Sequence, residues 1–322
     1  MRAKTLAVIA ALPLAGCGGP QSVLSPAGAE AAELSRLFWV MLIGAVVLWV
    51  MLNGLFFYVT RIRTGTISHR VAEGVIIGGG ILLPLVGVTA LLSFGLNMIP
   101  EQRAPGDGLR IAITGEQWWW RVEYWPEGAQ TPIVSANEVR LPAGLRTDLD
   151  LTAGKVIHSF WVPALAGKLD MFPGRVNRLP VEPFKPGIYR GQCAEFCGLS
   201  HALMAFNVVV LPEEEFDAWL EREAAPAAPE GPAEGRRVFE REGCGACHTV
   251  RGTRAVGKVG PDLTHLGSRT SLAAGILPMT EEALIRWVRA PDQIKPGAKM
   301  PRYTHLSDED LARLAQWLEG LK

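Results

Sequence analysis

The chain has 322 residues, with 32 basic against 32 acidic side chains and a formal net charge of zero, which disfavours the broad electrostatic footprint of a nucleic-acid binder. Hydrophobic residues make up 48%, so composition excludes a disordered or collagen-like chain, and the length leaves room for two or three domains. The five cysteines, at 17, 193, 197, 244 and 247, are too few for a disulfide-dense framework and fall as one lone thiol and two close pairs.

Residues 1–16 read as an export signal: basic Arg2 and Lys4, then an apolar run from Thr5 to Ala15 that is too short to span a bilayer. An extracytoplasmic segment, 17–36, follows, and then a transmembrane hairpin over 37–106. No charged side chain occurs from Leu37 to Thr60, a length of about 36 Å as helix, enough for the hydrocarbon core. A second uncharged stretch runs from Gly74 to Pro100; its Gly78–Gly80 run and Pro84 are tolerated among packed membrane helices. The spans are placed at about 37–60 and 73–99. Between them Arg61, Arg63 and Arg70 occur without an acid, which puts the connecting loop in the cytoplasm and both ends of the chain outside. Glu73 stands at the inner end of the second span, as a snorkelling surface residue or as part of a proton path.

Residues 107–213 change character. Leu109–Ile113 alternates, Trp118–Tyr124 is aromatic and β-prone, and Pro or Gly recurs every eight to twelve residues, which predicts an all-β sandwich or barrel. Two segments in it carry chemistry: His158-Ser159-Phe160-Trp161, and the loop Cys193-Ala194-Glu195-Phe196-Cys197-Gly198-Leu199-Ser200-His201-Ala202-Leu203-Met204. Thiolate, imidazole and thioether together are the ligand set of copper electron-transfer sites, but a single copper there takes one cysteine. Two coppers bridged by Cys193 and Cys197 use both. A Cys193–Cys197 disulfide is the competing reading for an exported pair, and it leaves the histidines and the methionine without a use.

Glu221–Gly235 is rich in Ala, Pro, Gly and Glu, a composition that predicts a semi-rigid linker that extends rather than packs; residues 214–234 are assigned to a helix end and this linker. Residues 235–322 form a separate all-α module around Cys244-Gly245-Ala246-Cys247-His248, the covalent attachment motif of c-type haem. A thioredoxin-like pair or half a zinc site is the alternative, and neither finds its βαβ context or its further ligands here. Thr280 caps a helix running toward Ala290, and Ser307-Asp308-Glu309-Asp310 opens a terminal helix in which Leu311, Leu314, Leu318 and Leu321 recur at helical spacing. The sixth iron ligand is expected to be a methionine, Met300 before Pro301 rather than Met279 before the Thr280 cap. His69, His265 and His305 read as solvated or hydrogen-bonded histidines.

The Cys-x-Glu-x-Cys-x-x-x-His-x-x-Met loop and the upstream His-Ser-Phe-Trp resemble subunit II of the haem-copper cytochrome c oxidases. The C-terminal part resembles a class I cytochrome c, so the match is to the fused form of the family. That resemblance implies a cupredoxin domain with a dinuclear CuA centre, in which Cys193 and Cys197 bridge the metals, His158 and His201 cap one copper each, and Met204 and the Glu195 carbonyl are weak axial ligands. It places the Glu195 side chain at a magnesium ion facing subunit I, and makes Trp118 the residue where electrons enter, with a core aromatic as the plainer reading. Lys168, Asp170, Pro173, Gly174 and Arg175 are family positions near the site. Cys244 and Cys247 would form the haem thioethers, His248 and Met300 would bind the iron, and the Pro261 carbonyl in Gly260-Pro261-Asp262-Leu263-Thr264 would orient His248. The residues before Cys17 resemble a lipoprotein cleavage box, which makes Cys17 the lipidated residue. The family usually follows the glutamate of the second span with Trp-Thr-x-x-Pro, whereas Glu73 here is followed by Gly74-Val75-Ile76-Ile77-Gly78.

The function implied is that of a subunit which passes electrons from cytochrome c through haem c and CuA to haem a in subunit I, where oxygen is reduced and protons are translocated. The partners implied are subunits I and III, a cytochrome c donor and membrane lipid, without nucleic acid, at a bacterial plasma membrane with both soluble domains outside. Two other readings stay open: the copper subunit of a nitric oxide reductase, and a membrane-tethered copper carrier, in which the attached haem would have no use.

Overall fold

The computed structural model describes residues 18–62, 65–102, 104–228 and 230–322; the export signal and the lipidation expected at Cys17 lie outside the described residues. Two compact units emerge, Glu33–Ala104 on one side of the division, and Pro105–Lys322 with the N-terminal segment up to Ala32 on the other.

The first unit is helical. Helix α1 (Ala29–Phe57) continues through a wider π-helical stretch at Tyr58–Ile62; α2 (His69–Val75) passes through another, Ile76–Leu82, into α3 (Leu83–Gln102). The two continuous rods, Ala29–Ile62 and His69–Ile99, are long and apolar enough to cross a membrane. Both therefore begin earlier than the uncharged stretches do. The second widening falls on Gly78–Gly80, and Pro84, which has no N–H to give, follows just after it. Polar side chains satisfy themselves on their own helices, as a hydrocarbon surrounding requires: Asn53 Nδ2 donates to Trp49 O at 2.7 Å, Thr60 Oγ1 to Phe56 O at 2.7 Å, and Ser93 Oγ to Thr89 O at 2.8 Å. Exposed Glu73 lies 3.3 Å from His69 Nδ1, one helical turn away.

The second unit begins with a strap, residues 18–32, laid along the β domain. Ala27 N donates to Ala164 O at 2.7 Å; Ala29 N to Glu182 O at 2.9 Å and Ala31 N to Leu165 O at 3.3 Å then give the first free N–H groups of α1 carbonyls outside the helix. Gly28 leaves no room for a side chain: a Cβ would stand 2.3 Å from Leu165 O.

The expected sandwich follows as ten strands, β1 (Arg110–Glu116), β2 (Trp119–Trp125), β3 (Ile133–Ala136), β4 (Glu138–Pro142), β5 (Thr147–Ala153), β6 (His158–Trp161), β7 (Leu169–Met171), β8 (Asn177–Val181), β9 (Gly187–Cys193) and β10 (Ala205–Leu211). They form two five-stranded sheets, in the orders β3-β2-β1-β5-β8 and β4-β10-β9-β6-β7. Pairing is antiparallel except for β1 with β5 and β4 with β10, where the chain has crossed between sheets before returning. Alternate residues of β1 and β2 turn inward, which puts Ile111, Ile113, Trp120, Val122 and Tyr124 into the core shared with Phe206 of β10. Helix α4 (Glu213–Ala224) then closes one end, with the Trp219 ring 5.1 Å from that of Tyr124.

Where composition predicts an extended spacer, the structure has a bound strap. Ala227 N donates to Arg251 O, Ala228 N to Lys322 O and Glu230 N to Gly320 O, and a Cβ at Gly231 would stand 2.6 Å from the Trp317 backbone. The correction has a physical cause, because small residues that add nothing to a core also let a backbone lie flat on one. Beyond it come α5 (Ala233–Arg241), a short β11–β12 hairpin (Ser271–Leu272 with Leu277–Pro278), α6 (Glu281–Arg289), α7 (Pro291–Ile294) and α8 (Asp308–Glu319). Thr280 and Ser307 cap α6 and α8 as expected, accepting from Ala283 N and Asp310 N. Leu311, Leu314 and Leu318 are buried with Phe239 of α5, and α5 meets α8 at Gly235, where a Cβ would stand 2.5 Å from that of Trp317.

Candidate functional site

The sheet that holds β9 next to β6 decides the geometry of the copper loop. Phe160 pairs with Cys193, so His158, two residues earlier on β6, comes beside the end of β9. The connection from β9 to β10 is then folded back on itself: Cys193 N donates to Met204 O at 2.9 Å, Ala194 N to Ser159 O at 3.0 Å, and Met204 N to His201 O at 3.1 Å. Met204 thereby reaches the core just before β10. Of the ligand atoms expected from sequence, Cys193 Sγ and Cys197 Sγ lie 3.8 Å apart, His158 Nδ1 lies 3.7 Å from the first, His201 Nδ1 3.6 Å from the second, Met204 Sδ 3.8 Å from Cys197 Sγ, and Glu195 O 3.2 Å from Cys193 Sγ. The ligand atoms of His158, Cys193 and Cys197 all fall within 4.8 Å of one another. Both cysteines are buried free thiols, too far apart for the expected alternative, a disulfide bond of about 2.05 Å.

The electrostatics favour a metal. The hydrogen bond from the Cys197 thiol draws Cys193 far below the ordinary thiol range, against the opposing effect of burial. Cys197, facing the thiolate so formed and buried as well, is held far above it. The pair thus gives up one proton readily and the second only to a cation. Soft sulfur with imidazole and a weak thioether suits copper, and this donor set, buried at His158, Cys193, Cys197 and Met204 and half-buried at His201, fits such a centre.

The second sphere was partly invisible in sequence. Gly115 of β1 lies under His158, where a Cβ would meet the ring at 2.8 Å. Trp118 is buried, at 7% exposure, and donates its indole N–H to Cys197 O at 3.1 Å, with Gln117 Nε2 on the same carbonyl at 3.0 Å. Its burial agrees with the core-aromatic reading, and its hydrogen bond sets the indole beside the metal loop. Asp170 pairs with Ser159 through β7, Arg175 lies over the Phe172 ring, and Gly174 turns with φ 73°. The Glu195 side chain accepts from Phe196 N at 3.0 Å at the surface, where Phe196 and Leu199 are 74% and 79% exposed.

In the C-terminal module, Cys244–Ala246 forms one 3-10 turn leading to His248, which places both thiols and the imidazole on one short arc. His248 Nδ1 stands 2.8 Å from Pro261 O, the contact expected, which leaves Nε2 as the nitrogen for iron. Gly260 makes this possible, since a Cβ there would stand 2.5 Å from His248 Cε1. Burial pushes His248 down from its usual range, so the ring stays neutral and able to ligate. These residues fit a covalently held haem. Met300 and Met279 both pack on the edge of the module's core; Met300 lies on the irregular stretch between α7 and α8. His265 is buried with Nε2 3.1 Å from Ala225 O, and exposed His305 meets Glu242 at 2.8 Å.

The two modules share a polar seam. Glu138 accepts from Thr270 N at 2.8 Å, Arg140 donates to Ser268 O at 2.8 Å, Arg251 to Val134 O at 3.1 Å, and Arg190 to Gly275 O at 3.0 Å. Lys295, buried by the contact, donates to Trp118 O at 2.8 Å. Burial pulls its ammonium down to about 7.

Residues 125–211 match the family model described as cytochrome c oxidase subunit II, periplasmic domain, and residues 232–322 match cytochrome c. A cytochrome c oxidase subunit 2 of Alkalihalophilus pseudofirmus is 38% identical over 75% of this chain and 69% of that one. That of Bacillus subtilis is 31% identical over 98% of this chain and 96% of its own length. A solved structure, the periplasmic domain of subunit II of cytochrome oxidase from Bradyrhizobium japonicum, is 32% identical over 37% of this chain and 95% of that one, with a TM-score of 0.33.

Proposed function

We propose, for a chain that belongs to the cytochrome c oxidase subunit II family and carries a C-terminal cytochrome c domain, that it receives electrons on its own haem c and passes them through a dinuclear CuA centre to haem a in subunit I, where oxygen is reduced and protons are translocated. The observation that carries this is the gathering of His158, His201, Met204 and the Glu195 carbonyl within 4 Å of the Cys193 or Cys197 sulfur, with the two sulfurs themselves 3.8 Å apart.

Cys193 and Cys197 would bridge two coppers, His158 and His201 would cap them through Nδ1, and Met204 and Glu195 O would be the weak ligands. When bound, the copper pair supplies reversible one-electron storage with little rearrangement, because the β6–β9 pairing fixes the donors beforehand. Cys244 and Cys247 would hold haem c by thioethers, with His248 and Met300 on its iron, and Pro261 fixing the His248 tautomer. Trp118, covered by the haem module, then serves inside the protein rather than as a landing point for an external donor.

The remaining assignments follow the family. The two apolar rods would span a bacterial plasma membrane with both redox modules outside, Cys17 would carry lipid, subunits I and III would be neighbours, and the Glu195 side chain would help to hold magnesium facing subunit I. Glu73 is proposed for the mouth of a proton path. Electron paramagnetic resonance of the copper-loaded chain tests the reading: a multi-line signal from one electron shared over two nuclei is expected. A four-line signal from one copper would overturn it in favour of a carrier or a mononuclear site. Copurifying haem b with non-haem iron, in place of haem a, would move the chain to a nitric oxide reductase.

A further inference from the structure

Three contacts stitch residues 295–297 of the haem module to the copper loop. The Lys295 ammonium is buried and donates to Trp118 O and Ala273 O, both at 2.8 Å. Ser200, next to His201, donates its hydroxyl to Pro296 O at 2.6 Å. Gly297, at φ 81°, lies so close under the Trp118 ring that a Cβ would stand 2.8 Å from its Cη2. On its far side Trp118 is hydrogen-bonded to Cys197 O, and three residues beyond Gly297 comes Met300.

Burying an ammonium is costly, and this one is met by one carbonyl from each module rather than by a carboxylate. Such a contact adds little to affinity and a good deal to register. Many other hydrogen bonds along the seam hold the modules together, so what Lys295 contributes is local: it sets Trp118 against Gly297.

We propose that Lys295–Met300 is the bridge by which electrons leave the haem for the copper pair, through Gly297, the Trp118 ring and the Cys197 carbonyl, with Lys295 and Gly297 as its positioning residues. This rests on the function proposed above. One electron crosses at a time, lost by the haem and gained by the copper pair, with no bond made or broken and no proton moved.

The test uses the full chain loaded with copper and haem. Photoreduction of the haem is followed by the rate at which the copper pair becomes reduced, in the unaltered chain, Gly297→Ala, Lys295→Met, and Lys155→Met at an exposed position outside the bridge. Transfer is expected to slow on the order of tenfold or more in the first two variants, as small misplacements of reacting groups do, and to stay unchanged in Lys155→Met. The multi-line copper signal, the haem spectrum and the haem-to-copper distance by pulsed resonance are expected to stay as they were, which a loss of docking would not allow. Transfer at the original rate in both Gly297→Ala and Lys295→Met, with these signals intact, overturns the bridge and leaves the functional reading standing. A slowed rate accompanied by a changed distance also overturns it, since Lys295 would then hold the modules together rather than set the contact. If the unaltered chain lacks either centre's signal, the functional reading fails and the bridge with it.

Discussion

The copper loop and the haem module solve different problems of preorganisation. Around the copper position, donors from residues 158 to 204 are brought together by two adjacent strands and one returning loop, with each neighbouring pair of donor atoms within 4 Å. Around the haem position, only the proximal side is comparably set, by His248 on Pro261, while Met300 rides on an irregular stretch between two helices. A small ion can be enclosed by one sheet edge and its turn, whereas a macrocycle has to be surrounded by segments that lie far apart in sequence. The copper site should therefore tolerate little intrusion, and the haem site should show graded dependence on its loops.

The largest effect is expected from Met300→Ala, which should abolish the weak sulfur-to-iron charge-transfer band of the oxidised haem while leaving the thioethers in place. Survival of that band would move the iron ligand to Met279 and make the distal side as preset as the copper loop. Next comes Gly115→Val. Overpacking against the His158 ring should cost about 1–3 kcal/mol, visible as a lower thermal midpoint of the metal-free chain and a weakened copper signal. An unchanged midpoint would mean that the sheet yields where the comparison says it is rigid.

A further effect follows from pH. Lys295 has a folded-state value of about 7 against an ordinary value near 10.5, so between these limits the unfolded chain binds more protons. Stability of the metal-free chain should accordingly rise as pH climbs through that window. Denaturant midpoints should show the rise, and Lys295→Met should flatten it. Smallest are the helix caps of the haem module: Thr280→Ala and Ser307→Ala should each cost about 1 kcal/mol, with no change in either metal's spectrum.

Most of the chemistry was legible in the sequence because it is written in spacing. The copper loop, the haem arc and both caps depend on residues a few positions apart, strand or helix periodicity carried the rest of each module, and the Pro261 contact, 13 residues from His248, came from the family resemblance. The seam was not legible. Lys295 and Gly297 acquire their meaning from Trp118, about 180 residues earlier, and neither lies in a pattern that points there. The strap at 225–232 escapes composition for a related reason: its hold on the haem module runs through main-chain N–H groups, which composition does not record. Gly115 had no signal beyond being a glycine in a strand, which marks a close approach without naming what approaches.

The bound strap has a consequence for how the molecule would come apart. Because it lies hydrogen-bonded on the haem module, and a separate polar seam joins that module to the β domain, a single cut within 225–232 would not release the haem. The nicked protein would run as two bands in detergent gels yet elute as one particle, and separation would require the seam to be dissolved by denaturant. Peptide continuity between the modules would then matter for assembly, when the halves first meet, far more than for holding the finished molecule together.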